Sequence, residues 1–291
     1  MRRDFSIRRI VGSVFFLCLL SASGHSQNVR IACAQIGYGI DTSKSIADII
    51  KSVNQAADSG ADIVLTPEVM MTCWKFGAAI PQSWVNAKLA VISAECAKRN
   101  IAAVVSGNRV DDSGKVYLTG YLIDRSGRLV GWYDKTGLLY DEISAGFSKG
   151  MSYPVFDLDI NGQLVKVGIQ ICRDQQYFAG FRFLALKGAR IILHIAAGLS
   201  NPELPGERRQ IEAKLRERAV TNSVILASVN QAADSGFYQL MRSQLIDPRG
   251  VVLNKTADGN EHMICATFDL SLADHSMLNQ RRTDLYDIKE K

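Results

Sequence analysis

From Asn28 onward the chain alternates short apolar runs with stretches in which apolar residues recur every three or four positions. Residues 29–36 form an apolar run of strand length, and Ile46, Ile49, Ile50 and Val53 then take the i, i+3, i+4, i+7 spacing of an amphipathic helix closed by Gly60. Residues 61–65 predict a buried strand, 83–99 a second helix and 101–106 a third strand. The middle of the chain reads as hairpins. Residues 116–123 turn at 125–127 into 129–133, and Asn161-Gly162, a dipeptide suited to a type I′ turn, joins 154–158 with 164–171. Helix over 177–187, strand over 190–195, helix over 207–222 and strand over 224–229 follow. A last hairpin turns at 247–250, and a strand over 262–268 precedes a polar tail.

Strands interleaved with helices, together with several antiparallel hairpins, imply an α/β protein with mixed sheets covered by helices. No linker, repeat or low-complexity tract divides residues 27–291, which predicts one domain. The opening segment differs. Arg2, Arg3, Arg8 and Arg9 precede an apolar run over residues 10–20, followed by small and polar residues to Ser26. That order reads as a signal peptide over residues 1–26, and the run is shorter than the ~20 apolar residues a bilayer span needs. The expectation is an exported protein, periplasmic or secreted, with no stable membrane span after processing. The twin arginine offers a second export route.

Composition narrows the function classes. At 291 residues, 47% hydrophobic and 22% charged, the chain has material for one sizeable core. The leader holds four of the 34 basic residues and one of the 29 acidic ones, so the net charge of +5 falls to +2 in the body. With no Lys/Arg stripe, nucleic-acid binding is not expected. Outside the leader stand five cysteines, Cys33, Cys73, Cys96, Cys172 and Cys265. An odd number cannot pair completely within one chain, and no C-x-x-C pair or histidine cluster points to a metal.

Three loci place reactive side chains at the ends of apolar strands: Thr66-Pro67-Glu68, Asp134-Lys135-Thr136 and Ile171-Cys172-Arg173-Asp174. Cys172 falls at a strand-to-helix turn, where the helix dipole and exposed N–H groups favour a thiolate. Cys33, inside an apolar strand, reads as structural. Glu68 follows a buried strand, where desolvation raises a carboxyl into the range of a usable base. A loop glutamate and a solvated lysine are the plainer readings of Glu68 and Lys135. His194 ends another apolar strand. It is the histidine nearest Cys172 in sequence, which opens a papain-like Cys-His alternative beside that of a core or rim histidine. Trp74 and Phe76 follow Glu68 closely, as a pocket wall or as core.

In combination and order, these loci resemble the nitrilase, or carbon-nitrogen hydrolase, superfamily. The resemblance extends from Ala32-Cys33-Ala34-Gln35 to Arg281-Arg282-Thr283-Asp284-Leu285-Tyr286. It implies a four-layer αββα sandwich and a Glu68-Lys135-Cys172 triad, with Glu142 as a second glutamate that positions the substrate or the lysine. The implied chemistry is thioester formation at Cys172, with Glu68 as base and then acid, and with Lys135 and the Arg173 N–H on the oxyanion. No cofactor is implied. The expected partners are a small amide or carbamoyl substrate and, as is usual in the family, further copies of the chain. Arg173, Trp74 and His194 are the expected oxyanion or substrate-binding residues. The family's Pro-Glu after the Cys-x-Asp segment is absent, and Gln175 and Gln176 stand where some relatives carry carboxylate-binding arginines, which counts against a carbamoyl-amino-acid substrate, with Arg173 as the alternative cation for an anionic substrate group. A nitrilase or acyltransferase within the same family, and a non-catalytic binding protein on the same fold, are the competing readings.

Overall fold

The computed structural model describes residues 28–37, 41–73, 80–233 and 236–290. The leader, Trp74 and Phe76 lie outside the described residues. The chain runs β1 (Asn28–Gln35), α1 (Thr42–Asp58), β2 (Ile63–Leu65), α2 (Gln82–Arg99), β3 (Ala102–Val110), β4 (Val116–Ile123) and β5 (Leu129–Asp134). After α3 (Tyr140–Ser144) come β6 (Val155–Ile160), β7 (Gln163–Ile171), a 3₁₀ turn over Cys172–Gln176, α4 (Phe178–Leu186), β8 (Ile191–Ile195) and β9 (Leu199–Ser200). Next are α5 (Pro205–Asn222), β10 (Ile225–Val229), β11 (Tyr238–Gln239), β12 (Gln244–Ile246), β13 (Val252–Lys255), β14 (His262–Asp269) and α6 (Ser276–Asn279).

Two six-stranded sheets result, in the orders β14-β1-β2-β3-β4-β5 and β13-β12-β10-β8-β7-β6. Strand alternation sorts the side chains into layers. Ile31 and Cys33 of β1 join Ile169, Leu193 and Ala227 in the core between the sheets. Their neighbours Ala32 and Ala34 meet Ile49 and Val53 of α1 and Ile92 of α2 on the outer face. On the other sheet, Ile192 and Leu226 pack under Phe181 of α4 and Leu215 of α5. Because both faces of both sheets are covered, the central strands read as continuous apolar runs. This is the expected αββα sandwich.

Local chemistry agrees with the expected elements. Asp41 caps α1 by accepting from Ser43 N at 2.9 Å. Asn161 and Gly162 take φ of 54° and 83°, the positive pair that a type I′ turn requires. Two features were not anticipated. Helix α3, at five residues, is too short to show a period, and β9 pairs antiparallel with β11 in a two-stranded ribbon. Among the described residues no helix is long and apolar enough to cross a membrane.

Candidate active site

Three strand ends meet at one edge of the sandwich. The loop after β2 turns sharply: Val69, a β-branched residue, takes φ of 60°, while its N–H donates to Ser106 Oγ at 3.0 Å and Ser106 Oγ donates to Thr119 O at 2.9 Å. Such strain persists only where surrounding bonds over-determine it. It holds Glu68 at the sheet edge, with no exposed surface. At the end of β5, Arg109 grips Asp134 through two bonds of 3.0 and 2.6 Å, and Lys135 N donates to Leu118 O at 2.8 Å. Lys135 is therefore no surface lysine; it too is fully buried.

Its ammonium bridges two carboxylates, Glu68 Oε1 at 2.8 Å and Glu142 Oε1 at 2.6 Å. Glu142, on α3, is buried rather than a loop carboxylate, and its Oε2 accepts from Leu139 N at 2.7 Å. An unpaired ammonium here would cost several kcal/mol, so lysine and carboxylates each make the other's burial possible. Burial pulls the Lys135 ammonium down, but the charges of Glu68, Cys172 and Glu142 outweigh it and hold the group above ordinary lysine. Burial raises the Glu68 carboxyl, against the opposing pull of Lys135.

Cys172 opens the 3₁₀ turn after β7 with φ of 46°, a left-handed conformation that only a held side chain adopts. Its sulfur feels the charges of Glu68, Lys135 and Glu142, and the Ala197 N–H lowers its pKa. Beneath it, Asp174 accepts from Ile171 N (2.8 Å), Tyr133 Oη (2.8 Å), Gly137 N (2.7 Å) and Thr136 Oγ1 (3.1 Å). Asp174 thus ties the cysteine turn to the segment after Lys135, stitching the two sheets together at the site. A Cβ at position 137 would stand 2.7 Å from Asp174 Oδ1, so the bond from Gly137 N requires glycine. The sequence marked Asp174 only as part of the cysteine segment. Its four donors, scattered over two segments, leave no local signal.

The expectation that a helix terminus would favour a thiolate is corrected. Burial, and then the charge of Glu68, push the Cys172 thiol well above its ordinary range. Helix α4 begins only at Phe178, beyond the turn, and two carboxylates stand around the one lysine beside the sulfur.

A cavity of about 470 Å³ opens over this cluster, with Glu68 and Cys172 in its wall beside Arg173, Gln175, Leu139 and Glu207. His194 does not reach it. The ring is fully buried, with Nδ1 2.8 Å from Ser228 Oγ and Nε2 3.1 Å from Cys172 O. It supports the backbone of the cysteine turn, contrary to its expected place among the substrate-binding residues. Burial lowers it to about 4, so it is neutral at pH 7. Of the expected residues, Glu68, Lys135, Glu142, Cys172 and Arg173 come together, and Trp74 lies outside the described residues. Cys33, Cys96, Cys172 and Cys265 are free thiols, and the described residues hold no group of three or more metal-ligating side chains.

Two helix-covered sheets face to face, with a thiol and a buried carboxylate-lysine cluster at one edge, define an αββα hydrolase. The chain belongs to the carbon-nitrogen hydrolase family, which it matches over residues 30–275. It is 28% identical to a citrullinase of Francisella tularensis, over 89% of this chain and 97% of that protein. A nitrilase of Pyrococcus abyssi is 27% identical, over 89% and 95% of the two chains. Among solved structures, an amidase from Nesterenkonia sp. superposes with a TM-score of 0.76 at 23% identity, covering 90% of this chain and 95% of that one, a likeness of fold.

Proposed function

We propose that the protein is a thiol amidohydrolase that cleaves small linear amides or carbamoyl compounds through a thioester on Cys172. The observation that carries the proposal is the Lys135 ammonium held between two buried carboxylates, with Glu68 and the Cys172 thiol sharing one cavity wall. Glu68 takes the thiol proton as sulfur attacks the carbonyl carbon, so the costly thiolate need not exist at rest. Lys135, anchored by Glu142, and the Arg173 N–H stabilise the oxyanion. The C–N bond then breaks, and Glu68 delivers its proton to the departing ammonia or amine. Water, activated by the same carboxylate, hydrolyses the thioester and regenerates the thiol. Relatives named as a citrullinase and an N-carbamoylputrescine amidase support linear carbamoyl compounds as substrates. Export through residues 1–26 and assembly into a homo-oligomer belong to the same proposal.

Purified protein is expected to release ammonia from an amide and carbamoyl panel, and fluoroacetamide is expected to alkylate Cys172 with loss of fluoride, leaving an acetamide moiety on sulfur that mass spectrometry detects. Ammonia release that survives in Cys172→Ala would overturn the mechanism. Cell fractionation and light scattering test export and assembly.

A further inference from the structure

The mechanism uses only one side of the cavity. On the rest of the wall stand Arg173 and Gln175, from the turn that carries the nucleophile, and Glu207, from the first turn of α5. Among the described residues neither Arg173 nor Glu207 has an ion-pair partner within 4.0 Å, so they do not pair with each other. Arg173 Nε is buried with no hydrogen-bond acceptor, and Gln175, only 5% exposed, has a buried Oε1 with no donor. Most other arginines near strand ends in this protein are engaged: Arg109 with Asp134, Arg125 with Asp62, Arg249 with Asp247. Lys214, further along α5, bonds the Gln176 carboxamide.

A buried polar atom without a partner costs about 1–3 kcal/mol, and a protein keeps such a cost where a ligand relieves it. Here the buried unmet atoms are Arg173 Nε and Gln175 Oε1, and the exposed Glu207 adds a carboxylate to the same wall. Arg173 offers a guanidinium, whose planar fork suits a carboxylate. Glu207 offers a carboxylate from the first turn of α5. A neutral amide would leave both unused, and a singly charged one would satisfy one and face the like charge of the other.

We infer that the cavity selects a substrate whose far end is an α-amino acid head group, its carboxylate on Arg173 and its ammonium on Glu207 with the Gln175 carboxamide oxygen. The scissile amide or carbamoyl group points to Cys172. This rests on the amidohydrolase reading of Cys172 and names the substrate class of that site.

The test is a matched set of linear amides: butyramide (neutral), glutaramate (carboxylate), γ-aminobutyramide (ammonium), and L-glutamine with its longer carbamoyl counterpart L-citrulline (both charges). One of the zwitterions is expected to exceed butyramide in kcat/KM by about 10–100-fold, the worth of one or two charge-assisted bonds. In Arg173→Met the ratio of carboxylate-bearing to neutral amides falls at least tenfold. In Glu207→Gln, a conservative change at an exposed helix position, the ratio of ammonium-bearing to neutral amides falls instead. Wild-type protein that treats all five amides alike or prefers butyramide, or variants that move every rate in parallel, would overturn the inference while the hydrolase reading stands. If no amide is cleaved, calorimetry on Cys172→Ala decides. Zwitterion binding that Arg173→Met weakens tenfold upholds the head-group site and sinks the hydrolase reading, and absence of binding overturns both.

Discussion

Cys33 and Cys172 occupy two regions of one interior, and burial raises both thiols. Around Cys33, in the core between the sheets, lie Ile31, Leu65 and other apolar side chains. Around Cys172, at the edge of the same sandwich, lie the Glu68 and Lys135 charges, the Ala197 N–H and a cavity. Burial by itself makes a thiol inert. What separates the two regions is a proton acceptor, a fixed cation, and space for a carbonyl carbon to approach.

The largest expected effect comes from exchanging the two regions in the same experiment. Cys172→Ala is expected to abolish ammonia release with little change in thermal stability. Cys33→Ala is expected to retain activity and lose about 1 kcal/mol through a small cavity, read from urea midpoints. Loss of activity in both, or in neither, breaks the contrast. Next is Lys135→Met, which fits an apolar chain into the same space. It leaves Glu68 and Glu142 facing each other without a cation, and about 3–5 kcal/mol of stability with at least a hundredfold in kcat is expected to go.

The pH profile sharpens the contrast further. Burial raises the Glu68 carboxyl, and the base must be ionised to accept a proton, so kcat/KM is expected to fall as pH drops through a value above the ordinary 4.5. Since Lys135 opposes that rise, residual activity in Lys135→Met should show the acidic limb at still higher pH. The smallest effect concerns His194, which burial depresses from 6.5 to about 4. As pH falls through that window the unfolded chain binds a proton that the folded protein refuses, so stability declines with falling pH, by about 3 kcal/mol at most. His194→Gln is expected to flatten that decline, checked by urea midpoints across the window.

Much of this was legible beforehand where a local pattern carried it. The i, i+3, i+4 spacing located α1, and Asn161-Gly162 located the β6-β7 turn. Helix α3 was missed because five residues hold barely more than a turn, and with it the burial of Glu142. The thiolate expected at Cys172 failed for a different reason: the turn was placed correctly, but two carboxylates from distant segments set its electrostatics.

By itself, then, the amino-acid order determined the alternation of strands and helices, and put Glu68, Lys135 and Cys172 each at a strand end, because hydrophobic period reports local burial. Their convergence belonged to the tertiary structure alone. Glu68 and Lys135 meet across 67 residues, and Cys172 reaches them from the opposite sheet. Coulomb forces depend on distance and on exclusion of water, and both exist only once the two sheets close on each other.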